Sequence, residues 1–275
     1  MTYREAIKIR RSVRNYQDKP IEKDLLLRIS ELLEDPERGP YGNKPRFALI
    51  ERSLAKKNHK VKLGTYGFIS NASYFIVGCI EKFEYSEVDY GFSLEKIIIE
   101  LTRLGLGTCW IGGTFNRKDF EKVLKIKENE IIPCISPVGY KADKSGMMGW
   151  VMTNVLKNSQ RKPFETLFFE NDMNTPLEYN RKYKYSQALE MLRLAPSAVN
   201  KQPWRVIKVD NKYHFYIDRK KKTDNSQVID LQKVDLGIAL SHFKMAADEL
   251  SLDGKWHIGN PEIGEWEYVI SWIAE

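Results

Sequence analysis

Three stretches of this chain carry side chains whose types and spacing could do chemistry. Near the N-terminus, residues 9–16 read IRRSVRNY. Arg10, Ser12 and Arg14 alternate, so an extended backbone projects two guanidinium forks and a hydroxyl to one side. Such a set suits a phosphate group. Thr2 and Glu5 have the spacing of a capping box for a helix from about Tyr3. That helix brings Arg10 and Arg11 to its C-terminal end, where cations also complement the helix dipole. The second stretch is GLGTCWIGG at residues 105–113. A turn or a helix cap explains Gly105 or Gly107, but not also Gly112 and Gly113 after an apolar run; glycines let backbone N–H groups approach a ligand closely. The third is LAPSAVNKQPW at residues 194–204, a connection with Ser197, Asn200 and Gln202 between two prolines. Rigid polar loops between regular elements are where binding residues concentrate.

No rival catalytic set accompanies these stretches. His59, His214, His242 and His257 are dispersed, without cysteine or carboxylate neighbours at metal-ligand spacing, so no metal site is expected, and His242 reads as a surface or core-packing residue. There is no nucleophile elbow and no P-loop. Cys79, Cys109 and Cys134 are far apart in apolar runs and read as small core residues.

The elements that must position these residues repeat once along the chain. Residues 88–107 read VDYGFSLEKIIIELTRLGLG and residues 234–254 read VDLGIALSHFKMAADELSLDG. Both open with Val-Asp-x-Gly and continue as amphipathic helices, for which Asp89 and Asp235 are the expected N-caps. Upstream, GNKPRFALI at 42–50 pairs with VNKQPWRVI at 199–207, each after a leucine-rich helix (24–33 and 186–194). Strands are expected at 74–80, 131–138, 214–217 and 266–272. Two similar blocks in one order imply two fused copies of one α+β fold, which most simply pack about a pseudo-two-fold axis. The copies have diverged: only the first has IRRSVRNY and GLGTCWIGG, and only the second has the polar loop. One composite site between them is the expected result.

The chain has 275 residues, 42% of them hydrophobic and 29% charged, which is ordinary globular usage. Its net charge of +7 comes from basic residues scattered among acids, against the concentrated face of a duplex-binding protein. No signal-peptide core and no membrane-length apolar run is present, and no partner nucleic acid or membrane is expected. A reducing cytoplasm fits this composition.

RRSVRNY, GLGTCWIGG, RKPFETLFF at 161–169 and APSAVNKQPWRV together resemble the signature segments of the FMN-dependent nitroreductase family, in its less common fused, internally duplicated form. The resemblance implies a nitroreductase-like α+β fold, each half a mainly antiparallel sheet flanked by helices, packed as an internal pseudo-dimer. Residues 1–168 would form the half carrying most flavin motifs, and 169–275 a short, degenerate copy supplying the APSAVNKQPW loop. It implies one FMN per chain, held by Arg10, Arg11, Ser12, Arg14, Arg161 and Lys162, with Gly112 and Gly113 under the flavin near N5. Pro196, Ser197, Val199 and Asn200 would close the site from the opposing half. Thr65, Tyr66 and Gly67 are further candidates, and Trp204 reads as buried packing.

The activity implied is that of an NAD(P)H oxidoreductase, with ping-pong hydride transfer through flavin N5 to a nitroaromatic, quinone or similar small acceptor. NADH or NADPH would be the donor. A flavin-binding storage or sensing protein is the alternative. The expected state is a monomer (pseudo-dimer) or a weak homodimer.

Overall fold

A computed structural model describes residues 1–61, 63–142, 160–219, 229–261 and 263–275. Of the loop 141–160, expected to shape the pocket, residues 143–159 lie outside the described residues. The chain opens with α1 (Tyr3–Ile9), started by the Thr2–Glu5 capping box and ended at Arg10. Next come α2 (Lys23–Glu34), β1 (Arg46–Glu51), α3 (Arg52–His59), β2 (Tyr74–Glu81) and α4 (Ser86–Arg103). Then follow β3 (Gly107–Thr108), α5 (Arg117–Leu124), β4 (Glu130–Ile131) and β5 (Ile135–Gly139). The expected single strand over 131–138 is divided, because Pro133 has no N–H to give a ladder. Beyond it lie β6 (Phe168–Glu170), α6 (Lys184–Arg193), β7 (Trp204–Val209), β8 (Lys212–Ile217), α7 (Leu231–Glu249), β9 (Gly254–His257) and β10 (Glu267–Ala274).

The result is an α+β fold in two halves, each with its own sheet. The first sheet runs β1-β2-β5-β3, with β4 also beside β2; the second runs β6-β7-β8-β10-β9. Pairings are antiparallel except β6 with β7. Taking β1, β2, β5 and β3 against β7, β8, β10 and β9, the two sheets have the same order and the same senses.

Helices α4 and α7 cross at the centre, and the Val-Asp-x-Gly motifs explain how. A Cβ on Gly91 would stand 2.3 Å from the Val234 carbonyl oxygen, and one on Gly237 would stand 2.1 Å from that of Val88. Each glycine is therefore the point at which the other helix's backbone comes to rest. The contact buries both helices nearly all round, including Tyr90, Phe92 and Glu95 on α4 and Leu236, His242 and Phe243 on α7. Periodicity predicts amphipathic helices; a helix sandwiched on every side loses its polar face.

The largest core runs through both halves, joining Ile76, Leu94 and Ile98 to Leu189, Phe215, Leu240 and Trp272. A second cluster around Phe75, Val77 and Phe120 lies on the other face of the first sheet. Adjacent β2 residues feed different cores because strand side chains alternate. Where the first half has its glycine run, β9 sends Trp256 against Trp272, with ring centroids 5.0 Å apart.

The N-cap expectation for the motif aspartates is corrected. Helix α4 starts at Ser86 after Tyr85, and α7 is capped by Asp230, which accepts from the Gln232 and Lys233 N–H groups. Helix α4 begins two residues before its motif and α7 three residues before its own, so Asp89 and Asp235 sit inside the helices rather than at their caps. Their carboxyls turn sideways to loops: Asp89 accepts from the N–H of Tyr41, and Asp235 from that of Ala198. Among the described residues no helix is long and apolar enough to cross a membrane.

Candidate functional site

Beyond α1 the chain runs extended beside β3: Ser12 bridges Thr108, and the Val13 N–H donates to the Thr108 carbonyl at 2.8 Å. Alternation then divides the residues. Arg10, Ser12 and Arg14 face a cavity of about 350 Å³, while Val13 turns into the second core. Arg11 stays outside the cavity lining, its guanidinium folded back onto the Lys8 and Arg10 carbonyls at 2.7 and 2.8 Å.

Arg10 is 7% exposed, and its Nε and Nη1 have no hydrogen-bond partner among the described residues. Its carboxylate neighbour is Glu95, whose Oε1 lies 3.8 Å away. That carboxyl is committed elsewhere: Oε2 accepts from Trp110 Nε1 at 2.5 Å, and Oε1 meets His242 Nε2 at 2.8 Å. His242 Nδ1 faces the Met191 carbonyl at 3.0 Å, which can only accept, so Nδ1 carries hydrogen. Burial pushes the Arg10 guanidinium below its ordinary range, with Glu95 opposing. The cavity thus has a buried cation whose Nε and Nη1 lack hydrogen-bond partners among the described residues, an arrangement that favours an anion.

The glycine run forms another wall. Ile111 bridges Ile135, and the Gly112 carbonyl accepts from Arg117 at 3.1 Å. A Cβ on Gly112 would lie 2.7 Å from Leu231 Cδ2 and 3.2 Å from Cys134 Sγ, whereas Gly113 has open space. All three cysteines are free and buried, and Cys109 and Cys134 line the cavity with thiols pushed up by burial.

The second half contributes Pro196, Ser197, Ala198, Val199 and Asn200, together with Leu231, Val234, Asp235 and Ile238 of α7. The loop is strained: Val199, Asn200 and Gln202 all have positive φ, at 45°, 56° and 49°. A β-branched residue in that region is an outlier of the kind that collects at functional sites. Its polar side chains hold this shape. Ser197 Oγ accepts from the Gln202 N–H at 2.9 Å, and Gln202 Oε1 from the Lys162 N–H at 2.8 Å. Asn200 Oδ1 accepts from Arg161 Nη1 at 3.2 Å. Gln202 is buried outside the cavity lining, so its polarity braces the loop against segment 160–162.

Arg161 lines the cavity, its guanidinium pulled down to about 10 by burial and then by Arg10, Arg11 and Arg193. It still carries charge at neutral pH. Lys162 lies outside the lining, with Nζ donating to the Gln202 carbonyl at 3.1 Å.

The cavity therefore gathers Arg10, Ser12, Arg14, Gly112, Gly113, Arg161, Pro196, Ser197, Val199 and Asn200 from both halves, without Arg11 or Lys162. Phe68 and Ile69 line it in place of Thr65, Tyr66 and Gly67. Trp204 is fully buried. Sequence reasoning missed the α7 residues, although the repeated Val-Asp-x-Gly motif marked the helix that bears them. Two larger clefts, about 680 and 640 Å³, lie elsewhere and are lined by mixed surface charges. Neither contains any of the unpartnered buried polar atoms, whereas this cavity holds those of Arg10 and Asp235.

Compared with known protein families, the chain matches the model described as "Putative TM nitroreductase" over residues 2–247. A curated relative from Methanothermobacter thermautotrophicus, named "Putative NADH dehydrogenase/NAD(P)H nitroreductase", is 28% identical over 154 residues, covering 52% of this chain and 78% of that protein. Among solved structures, a "putative nitroreductase" from Thermotoga maritima is similar over 99% of this chain and 94% of that one, with a TM-score of 0.64 at 23% identity. That likeness concerns the fold.

Proposed function

The chain belongs to the nitroreductase family, a family of oxidoreductases, and from that premise we propose that it is an FMN-dependent NAD(P)H oxidoreductase with one FMN per chain. The cofactor would lie between two fused copies of one fold, residues 1–168 and 169–275. The matching strand orders of the two sheets and the reciprocal glycine contacts of α4 and α7 support the duplication.

The observation that carries the reading is the buried Arg10 guanidinium, its Nε and Nη1 without hydrogen-bond partners among the described residues, in a cavity lined by both halves. The residues fit FMN. Arg10, Arg14 and Arg161 with the Ser12 hydroxyl would hold its anionic groups through charge-assisted bonds. Ile69, Ile111, Leu231, Val234 and Ile238 offer apolar walls for a planar ring, and the cavity volume falls in the usual small-ligand range of roughly 300 to 1,000 Å³.

FMN, when bound, supplies hydride transfer from NADH or NADPH to an oxidised small molecule such as a nitroaromatic or quinone, in a ping-pong sequence. The protein's part is orientation and electrostatics. Arg10, with Nε and Nη1 free of hydrogen-bond partners among the described residues, would stabilise negative charge in the site. Gly112 and Gly113 would keep one wall free of side chains, and the braced 196–200 loop would close the other. The test is anaerobic mixing of flavin-loaded protein with NADH and with NADPH while flavin absorbance is followed. Bleaching by either supports the reductase. Bound FMN that neither nicotinamide bleaches would contradict it and leave a storage or sensing protein.

A further inference from the structure

Asp89 and Asp235 occupy the same place in two Val-Asp-x-Gly motifs, and their surroundings differ in a way that isolates one atom. Asp89 Oδ1 accepts from the Tyr41 N–H at 2.9 Å, while Oδ2 accepts from both the Asn43 N–H and Asn43 Nδ2 at 2.9 Å. Both oxygens are satisfied. The corresponding residues of the second half are Ala198 to Asn200. The Ala198 N–H donates to Asp235 Oδ1 at the same 2.9 Å. Asn200, the counterpart of Asn43, has turned its carboxamide away, with Nδ2 donating to the Gln160 carbonyl at 2.9 Å and Oδ1 accepting from Arg161. Asp235 Oδ2 is left buried, without a hydrogen-bond partner among the described residues, in the lining of the cavity.

A buried carboxylate oxygen without a donor pays the full cost of desolvation; a protonated one becomes a donor and needs an acceptor instead. The twin aspartates follow this logic. Burial raises Asp89 to about 6 against three donated hydrogen bonds, but raises Asp235 to about 8 against one. Asp235 is 4% exposed. Its place on the wall is fixed by Leu231, one turn earlier on α7, whose Cδ2 abuts the Gly112 position.

We propose that Asp235 is a ligand-contacting residue of the cavity, donating a hydrogen bond from Oδ2 to an acceptor atom of the flavin ring. This rests on the FMN reading. The ring offers carbonyl oxygens and nitrogens as acceptors, so a neutral donor and the cations Arg10, Arg14 and Arg161 divide the recognition between them. Ionisation of Asp235 would replace a donor by an anion facing those acceptors. Flavin affinity is therefore tied to one proton on the protein. The charged and titratable groups around it are Asp230 on its own helix, which raises it, and Lys201 on the loop, which lowers it. Cys134 faces it across the wall, and Cys109, Arg10, Arg14 and Arg161 line the same cavity.

The test is FMN titration of the apoprotein by flavin fluorescence from about pH 6 to about pH 9.5, in wild type, Asp235→Asn and Asp235→Ala, so the readout is affinity rather than turnover. Asn keeps a donor without an ionisable proton. The expected result is Asp235→Asn binding within about threefold of wild type near neutrality, and Asp235→Ala about tenfold weaker, the equivalent of one hydrogen bond. Above about pH 8, wild type should lose affinity progressively relative to Asp235→Asn. The FMN phosphate and ring titrate equally in both, so the difference belongs to Asp235.

Superimposable pH curves for wild type and Asp235→Asn would overturn the proposal. So would an infrared difference spectrum at neutral pH lacking a protonated-carboxyl band lost in Asp235→Asn. Absence of FMN binding at every pH in all three proteins would instead strike the FMN reading and remove this contact with it.

Discussion

Replacing Arg10 by methionine should move two properties in opposite directions. The guanidinium is buried, its Nε and Nη1 lack partners among the described residues, and its approach to Glu95 is too long for a hydrogen bond at 3.8 Å. Glu95 keeps Trp110 and His242 in the variant. Burying an ion whose N–H groups lack hydrogen bonds costs free energy that an apolar side chain of similar volume does not incur. The apoprotein's melting temperature should therefore hold or rise, by about 2 to 4 °C per kcal/mol for a chain this size. FMN affinity should fall. Two charge-assisted bonds at about 1.5 to 3 kcal/mol each amount to about 3 to 6 kcal/mol, a weakening between about a hundredfold and about ten-thousandfold. Scanning calorimetry of the apoprotein and calorimetric titration with FMN measure the two effects. An apoprotein destabilised by several kcal/mol, with flavin affinity unchanged, would make Arg10 a structural partner of Glu95 and refute the argument.

Gly237→Ala should cost more than about 3 kcal/mol or abolish folding, because its Cβ would stand 2.1 Å from the Val88 carbonyl. Gly113→Ala, with open space at the Cβ position, should stay within about 0.5 kcal/mol, and paired denaturation curves decide between them. Asn200→Ala removes one acceptor of Arg161 and leaves alanine at φ 56°; FMN titration should show affinity about tenfold weaker. In the apoprotein, the raised Asp235 carboxyl contributes stability that is full below about pH 4 and is lost as pH rises through about 8. Between those limits denaturant midpoints should report a loss of about 1.4 kcal/mol per pH unit from this group, absent in Asp235→Asn.

Much of the candidate site was legible because the residues that line its cavity violate local expectation. Arg10, Ser12 and Arg14 alternate where a helix has just ended, Gly112 and Gly113 follow an apolar run, and the 194–204 loop is polar without a structural need visible in sequence. The α+β fold followed from the repeated order of helix, loop and strand, which both sheets display. What periodicity could not show was tertiary. Burial of α4 and α7 on every side depends on a helix crossing set by Gly91 and Gly237. The same extension of both helices turned Asp89 and Asp235 from expected caps into loop partners. Arg11 and Lys162 share the charge of their neighbours, but backbone direction sends them to carbonyls outside the cavity. His242 read as packing; its bond to Glu95 joins residues 147 positions apart, beyond the reach of any local pattern.

Hydrogen exchange of the apoprotein with and without FMN, read peptide by peptide, is the most direct test of a cofactor held between the two halves. Slowed exchange should appear together in residues 10–14 and 109–114 of the first half and in 196–200 and 231–238 of the second. Protection confined to one half, or none at saturating FMN, would contradict a shared site.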